Sequence, residues 1–342
     1  MALAIFTSDR FADHLTPPGH PERVERAEVM QVVASEFRRR GGAVIEPCPA
    51  ADEELARIHG GTYLDLLRET AGRAVALDPD TFTSPGTYDA ALLAAGAGVA
   101  GIDHVLDTGR GARALAMVRP PGHHAERNRA MGFCLLNNVA VGAAHARARG
   151  LARVAVVDYD VHHGNGTQRA FYADPAVLYI SSHQFPFYPG TGAAEETGSG
   201  RGVGFTVNFP LEAGATDADY ERIWTSAAGL LRQFRPGLIL LSAGFDAHMD
   251  DPLGGMRLTT PQFGRMTALV GAVADECCEG RFVTVTEGGY DFRALAASLS
   301  GVIGVLDGST TLDDLPVPGG DTRRAEASID AARPHLGKYW TI

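Results

Sequence analysis

The stretch "VAVVDYDVHHGNG", residues 154–166, decides how the rest of the chain is read. Its first four residues are short, apolar and mostly β-branched, the composition of a strand covered on both faces. The run then turns polar and offers Asp158, Asp160, His162, His163 and Asn165 just beyond the strand. Extended backbone would put Asp158, Asp160 and His162 on one face and Tyr159, Val161 and His163 on the other. Carboxylates with an imidazole suit Zn²⁺ or another borderline divalent ion. A lone Asp-x-His is ordinarily a capped strand end with solvated charges, but two aspartates ahead of a histidine at a buried strand end favour a metal. Periodicity leaves open whether Asp158 or a distant residue completes the set.

Working outward, similar apolar runs are expected as strands at residues 3–6, 114–118, 177–181, 204–208, 238–242 and 282–286, besides 154–157. Segments of helical period fall between them, at 24–40, 52–58, 63–76, 88–106, 137–149, 217–234 and 261–279, the last with Thr260 placed to cap and Pro261 in the first turn. This alternation predicts an α/β fold with a mostly parallel sheet. Polar clusters follow five of the strands: "PPGHH", "DYDVHHGNG", "SSHQF", "SAGFDAH" and "TEGGY". In a parallel sheet the C-terminal strand ends share one edge, where sites form, so the clusters point to one place.

Each candidate has an ordinary alternative. His123 and His124 on a Pro/Gly turn could be surface residues, yet they close a strand aimed at the same edge, and metal-assisted hydrolysis needs a base nearby. Asp246 could simply cap its strand. Tyr290, behind two glycines, could be packing or could donate a hydrogen bond to a developing oxyanion. "TGSGRGVG", 197–204, precedes a strand instead of joining strand to helix, so it reads as a flexible rim loop and not a phosphate loop. His20 reads as ordering the helix that follows.

Composition narrows the class. The 342 residues, 45% hydrophobic, are expected to form a single domain over 1–342, with the part after Asp307 the most loosely packed. A formal charge of −11 argues against nucleic acid and is compatible with a cationic substrate. The N-terminus lacks the pattern of a signal peptide and no apolar run reaches 18 residues, which predicts a cytoplasmic protein without a membrane partner. Cys48, Cys134, Cys277 and Cys278 form no CxxC pair, so neither disulfides nor a thiolate site is expected. Apolar rim segments leave a homo-oligomer open.

Taken together, "HPERVER", "RPPGHHAE", "GFCLLNNVA", "DYDVHHGNGTQ", "YPGTG", "SAGFDAHMDDPLGG" and "EGGY" resemble the histone deacetylase family in the broad sense, which includes acetylpolyamine amidohydrolases and acetoin-utilisation proteins, and are closer to its class II pattern than to class I. The resemblance implies an arginase-like α/β fold around a parallel eight-stranded sheet, with a catalytic Zn²⁺ at the base of a narrow tunnel. The ligands it implies are Asp160, His162 and Asp246; Fe²⁺ is an alternative ion for such a set. It further implies His124 as general base and acid, oriented by Asn165, with His123 as electrostatic partner, oriented by Asp158, and Tyr290 as the oxyanion donor. The tunnel would be walled by Gly132, Phe133, Tyr188 and Leu253. A structural K⁺ would sit among Asp158, Asp160, His162 and Ser181. The implied reaction is hydrolysis of an acetylated amine to acetate and free amine. Leu253, where polyamine-preferring relatives can carry an acid, favours acetyl-lysine-like substrates over acetylpolyamines. A non-catalytic binder of acylated ligands is disfavoured because the whole set is present.

Overall fold

The computed structural model describes residues 2–342, and the alternation of apolar runs and amphipathic segments appears in it as alternating strands and helices. The strands are β1 (Ala2–Phe6), β2 (Ala43–Ile45), β3 (Ala76–Asp78), β4 (Thr81–Phe82), β5 (Ala112–Ala116), β6 (Val154–Asp158), β7 (Val177–Gln184), β8 (Thr206–Leu211), β9 (Leu238–Ala243) and β10 (Phe282–Thr286). The helices are α1 (Glu25–Arg39), α2 (Asp52–Ala56), α3 (Gly61–Glu69), α4 (Thr87–Asp107), α5 (Asn138–Ala148), α6 (Asn165–Phe171), α7 (Asp217–Phe234), α8 (Thr260–Cys277), α9 (Phe292–Asp307) and α10 (Arg323–Leu336).

Eight strands form one sheet in the order β2-β1-β5-β10-β9-β6-β7-β8, every pair parallel. Strand alternation sends side chains to two separate cores. In β6, Ala155 and Val157 join the core under α1 and α7 to α10, while Val154 and Val156 join the one under α2 to α5. Because both faces are covered, the central strands are mostly apolar over their first residues, and polar residues gather at their C-terminal ends, as Asp158 does in β6 and Ser181 to Gln184 do in β7. The five polar clusters stand at or just beyond the C-terminal ends of β5, β10, β9, β6 and β7, which are consecutive in the sheet; "SSHQF" lies mostly inside β7, which runs on to Gln184. Their convergence is therefore a matter of strand order as well as strand direction.

Several expectations change. β2 is a three-residue edge strand, too short for a periodic signal. The helix expected over 63–76 ends at Glu69, and Ala76 opens the β3–β4 hairpin. Helices α6, α9 and α10 had no forecast. Thr260 is the first residue of α8 instead of its cap; Thr259 precedes it, and its Oγ1 donates to Asp217 at 2.6 Å. The glycine-rich stretch 197–204 is held down by backbone bonds, Ser199 N–H to the Tyr172 carbonyl and Gly204 N–H to the Thr197 carbonyl, both 2.7 Å. All four cysteines are free. α4 is long and apolar enough to cross a membrane because its Ala, Leu, Val and Ile residues raise its hydropathy, but two-thirds of its apolar window is buried, and it packs on α5 and β5.

The chain after Asp307 was expected to be loosely packed throughout. Residues 308–322 are largely exposed, yet α10 returns to the sheet and buries Ala325, Ile329, Ala332 and Leu336 against α7 and β8. Removing a buried aliphatic side chain costs about 2–5 kcal/mol. Ile329→Ala is accordingly expected to lower the unfolding free energy by about that amount in urea denaturation; a change under about 0.5 kcal/mol, the range of surface substitutions, would show that the helix does not belong to the core.

Candidate active site

The turn after β6 departs from the extended alternation read in the sequence. The strand ends at Asp158, and two successive side-chain turns follow: Asp160 N–H donates to Asp158 Oδ1 at 3.1 Å, and His162 N–H donates to Asp160 Oδ1 at 2.9 Å. Each aspartate thus shapes the backbone that presents the next polar residue. Asp246 arrives from the end of β9 and accepts from Val161 N–H at 2.9 Å, fixing the two loops together. His162 Nδ1 lies 3.2 Å from Asp160 Oδ1 and 3.1 Å from Asp246 Oδ2, and potential ligand atoms of all three residues lie within 4.8 Å of one another. Two glycines make room: a Cβ at Gly244 would come within 2.0 Å of Asp160 Oδ2, and one at Gly288 within 2.2 Å of Asp246 Oδ2.

Electrostatics marks the cluster as incomplete without positive charge. Burial, reinforced by the charge of Asp160, pushes the Asp246 carboxyl up to about 7. Burial would also raise Asp160, but His123 and His162 override it and hold it well below the usual carboxylate range. His162 is carried the other way, to about 10, because its two carboxylates outweigh the burial that would lower it. Positive charge is favoured at this point, and a divalent ion would supply it there. Two carboxylates and one imidazole around one point form a donor set that fits Zn²⁺ or Fe²⁺ and leaves coordination positions for other groups.

The two adjacent histidines have different partners. His123 Nδ1 is 3.0 Å from Asp158 Oδ2, and Asp160, Asp158 and Glu287 raise its pKa to about 10 against the effect of burial. His124 Nδ1 is 2.8 Å from Asn165 Oδ1, and Asn165 Nδ2 donates to Glu126 at 2.8 Å. Because Glu126 accepts from the amide nitrogen, the amide oxygen faces His124, and Nδ1 is the protonated ring atom. Nε2 is left as the basic nitrogen. Burial, followed by the neighbouring charges of His123 and His162, holds His124 well below the ordinary histidine value.

A cavity of about 90 Å³ is lined by His123, His124, Asp160, His162 and Tyr290, with Gly132, Phe133, Tyr188, Leu253 and Asp80 along its wall. Asp246 does not line it. The Tyr290 backbone N–H donates to Asp251 at 2.6 Å, its ring lies 5.0 Å from the Arg26 guanidinium carbon, and its hydroxyl has no hydrogen-bond partner among the described residues. Phe133 adopts φ 68°, unusual for a large side chain. It is held by its N–H to Thr81 Oγ1 at 3.0 Å and by the His20 ring, 4.7 Å away. His20 therefore supports the wall as well as the turn before α1. Ser181 is level with Asp158 in the β6–β7 register and hydrogen-bonds His183 Nδ1 at 2.9 Å. Both nitrogens of His163 are engaged, by Thr191 and Gln168.

Sequence reasoning missed several supports. Phe187 stacks on His162 at 5.4 Å and 16°. Glu287 accepts from Gly122 N–H, His123 N–H and Ser242 Oγ at 2.7, 3.0 and 2.9 Å, pinning the histidine turn to β9 and β10. Asp251 holds Tyr290 and Leu253 by their backbone amides. Both acids stand inside motifs already singled out, where an acid among glycines was the available signal. Beneath them, fully buried Glu22 bridges Arg26 at 2.9 Å and Arg119 at 2.6 Å, with His14 at 3.3 Å. Burial would raise the Glu22 carboxyl, but Arg119, His14 and Arg26 hold it well below its usual range.

Replacing Glu22 by Gln leaves two guanidiniums buried without a counter-charge, a loss of about 3–5 kcal/mol. The expected outcome is a lower Tm with a weakened Arg26–Tyr290 contact; a Tm within experimental error of the parent would rule out this role.

Comparison with known proteins agrees with this geometry. The family model described as "Histone deacetylase domain" matches residues 20–306. The chain is 38% identical to a "Probable deacetylase" of Archaeoglobus fulgidus, covering 90% of this chain and 87% of that protein. It is 45% identical to the "Histone deacetylase-like amidohydrolase" of Pseudomonas aeruginosa over 71% of this chain and 64% of that one. It is 38% identical to the human "Polyamine deacetylase HDAC10" over 93% of this chain, about half (49%) of that protein. The crystal structure of the HDA15 HD domain superposes with a TM-score of 0.89 at 34% identity, covering 99% of this chain and 95% of that one.

Proposed function

We propose, from the premise that this chain belongs to the histone deacetylase family, that it is a metal-dependent hydrolase releasing acetate from acetylated amines of the acetyl-lysine kind. The observation that carries this reading is that one small cavity is lined at once by Asp160 and His162 of the ligand cluster, by the imidazole of His124 and by Tyr290, whose hydroxyl lacks a partner among the described residues. Asp160, His162 and Asp246 would hold Zn²⁺, with Fe²⁺ as the alternative ion. When bound, such an ion supplies a Lewis acid for the carbonyl and lowers the pKa of water.

The chain's own groups account for the remaining tasks. His124, its Nδ1 occupied by Asn165, has Nε2 to take a proton from water and return it to the departing amine. The Tyr290 hydroxyl donates to the oxygen that becomes negative. His123, paired with Asp158, keeps positive charge beside the reacting carbonyl. A K⁺ among Asp158, Asp160, His162 and Ser181 would steady the loops from behind. Gly132, Phe133, Tyr188 and Leu253 offer an apolar wall for a methylene stem. The polyamine reading is favoured by one observation, the Asp80 carboxylate on the same wall, which suits a second ammonium group.

Chelation and Tyr290→Phe should each reduce acetyl-lysine peptide hydrolysis by about 10²-fold or more, the range for losing an oxyanion donor. Undiminished turnover in either case would end this mechanism. Side-by-side kcat/KM values for an acetyl-lysine peptide, acetylputrescine and acetylspermidine decide the substrate, with the peptide expected to lead.

The amide at Asn165 also sets a pH signature. A base must be unprotonated to act, so kcat/KM falls as pH drops through its pKa. An amide stabilises imidazolium less than a carboxylate does, so His124 stays below its ordinary value. Asn165→Asp is expected to raise that pKa and move the acidic limb of the kcat/KM profile to higher pH; an unmoved limb contradicts the assignment.

A further inference from the structure

The loop that continues from the two histidines bears a second cluster that the hydrolase reading does not use. Arg127 and Arg129 from this loop, Arg57 at the end of α2 and Arg169 on α6 line a cavity of about 270 Å³ together with Asn128 and Glu126. Arginine remains charged at any accessible pH, and its planar fork matches the oxygens of a phosphate group.

The surrounding carboxylates leave this cluster under-neutralised. Glu126 lies 3.1 Å from Arg169 and 3.6 Å from Arg129, while Arg57 pairs with Glu53 at 2.8 Å and approaches His145 Nδ1 at 3.3 Å. The Arg127 guanidinium hydrogen-bonds only the Ile58 carbonyl, at 3.2 Å, and has no ion pair among the described residues. Four arginines against Glu126 and Glu53 leave a surplus of two positive charges. That surplus occurs in a chain whose net charge is −11. On a convex surface such charges would simply be solvated. Here they line a concavity, where their mutual repulsion is relieved by an anion that several of them can reach.

We propose that this cavity is a phosphate site, taking one dianionic phosphate group either as the free ion or as a small monophosphate ester. Such a ligand shares Arg169 and Arg129 with Glu126, the residue that fixes the Asn165 amide, so the site adjoins the histidine pair without belonging to it. The proposal does not depend on the hydrolase reading, since it is tested by binding alone.

The test is calorimetric titration of the metal-loaded enzyme at low ionic strength with inorganic phosphate and, separately, glycerol phosphate. Saturable one-site binding is expected, weakened about tenfold or more in Arg127→Gln/Arg169→Gln by the loss of two charge-assisted contacts. Binding of the free ion alone identifies inorganic phosphate as the ligand, and comparable binding of both identifies the phosphate group. Absence of saturable binding by either, or equal affinity in parent and double variant, overturns the proposal; the second result would put the anion elsewhere, for instance on the metal. Both arginines are solvent-facing, and an unchanged Tm checks that the double variant is folded. If it is not, Arg127→Gln alone decides, on the same criterion.

Discussion

The arrangement of the site depends on a repulsion. Asp160 and Asp246 are fully buried and share one imidazole, in surroundings where two adjacent negative charges are strongly unfavourable. What lies around them reduces that repulsion or exploits it. Val161 and Gly288 give backbone N–H groups to the carboxylates, and Gly244 and Gly288 omit the side chains that would force them apart. His123 and His162 contribute positive charge. A residual demand for a cation remains, and this gives the loop ends a reason to bind a metal ion.

The acids around the site form a graded support. Glu287 holds the histidine turn, Asp251 holds the tyrosine turn, and Glu22 anchors two buried guanidiniums, of which Arg26 reaches the Glu287 and Gly289 carbonyls and the Tyr290 ring. Each spans segments far apart in sequence. Positional accuracy at the cavity therefore comes from buried charge–amide contacts that hold only in the assembled fold, a stiffer arrangement than loop packing alone provides.

Much of this was legible from local pattern. The central strands announced themselves because a strand covered on both faces starts with an apolar run, and the polar residues around Asp158, Ser242 and Thr286 marked their C-terminal ends. The ligand set was not legible from local geometry. Extended alternation grouped Asp158 with Asp160 and His162, whereas the backbone turns twice through its own side chains, and the third member of the cluster, Asp246, comes from the neighbouring strand. Only resemblance supplied that pairing. Edge strand β2, the β3–β4 hairpin and α10 escaped notice because their stability is tertiary: short or weakly patterned segments take their form from what they cover.

The backbone strain at Phe133 has a wider meaning. A residue with φ 68° is retained there because Thr81, in a hairpin outside the main sheet, and His20, in the turn before α1, hold it from both sides. The polar groups at the base of the cavity hang from the sheet, while this part of its wall hangs from a hairpin and a turn outside the sheet. The width of the cavity and the chemistry at its base are therefore set by separable pieces of chain, so a substitution in the hairpin can reshape the one without moving the other.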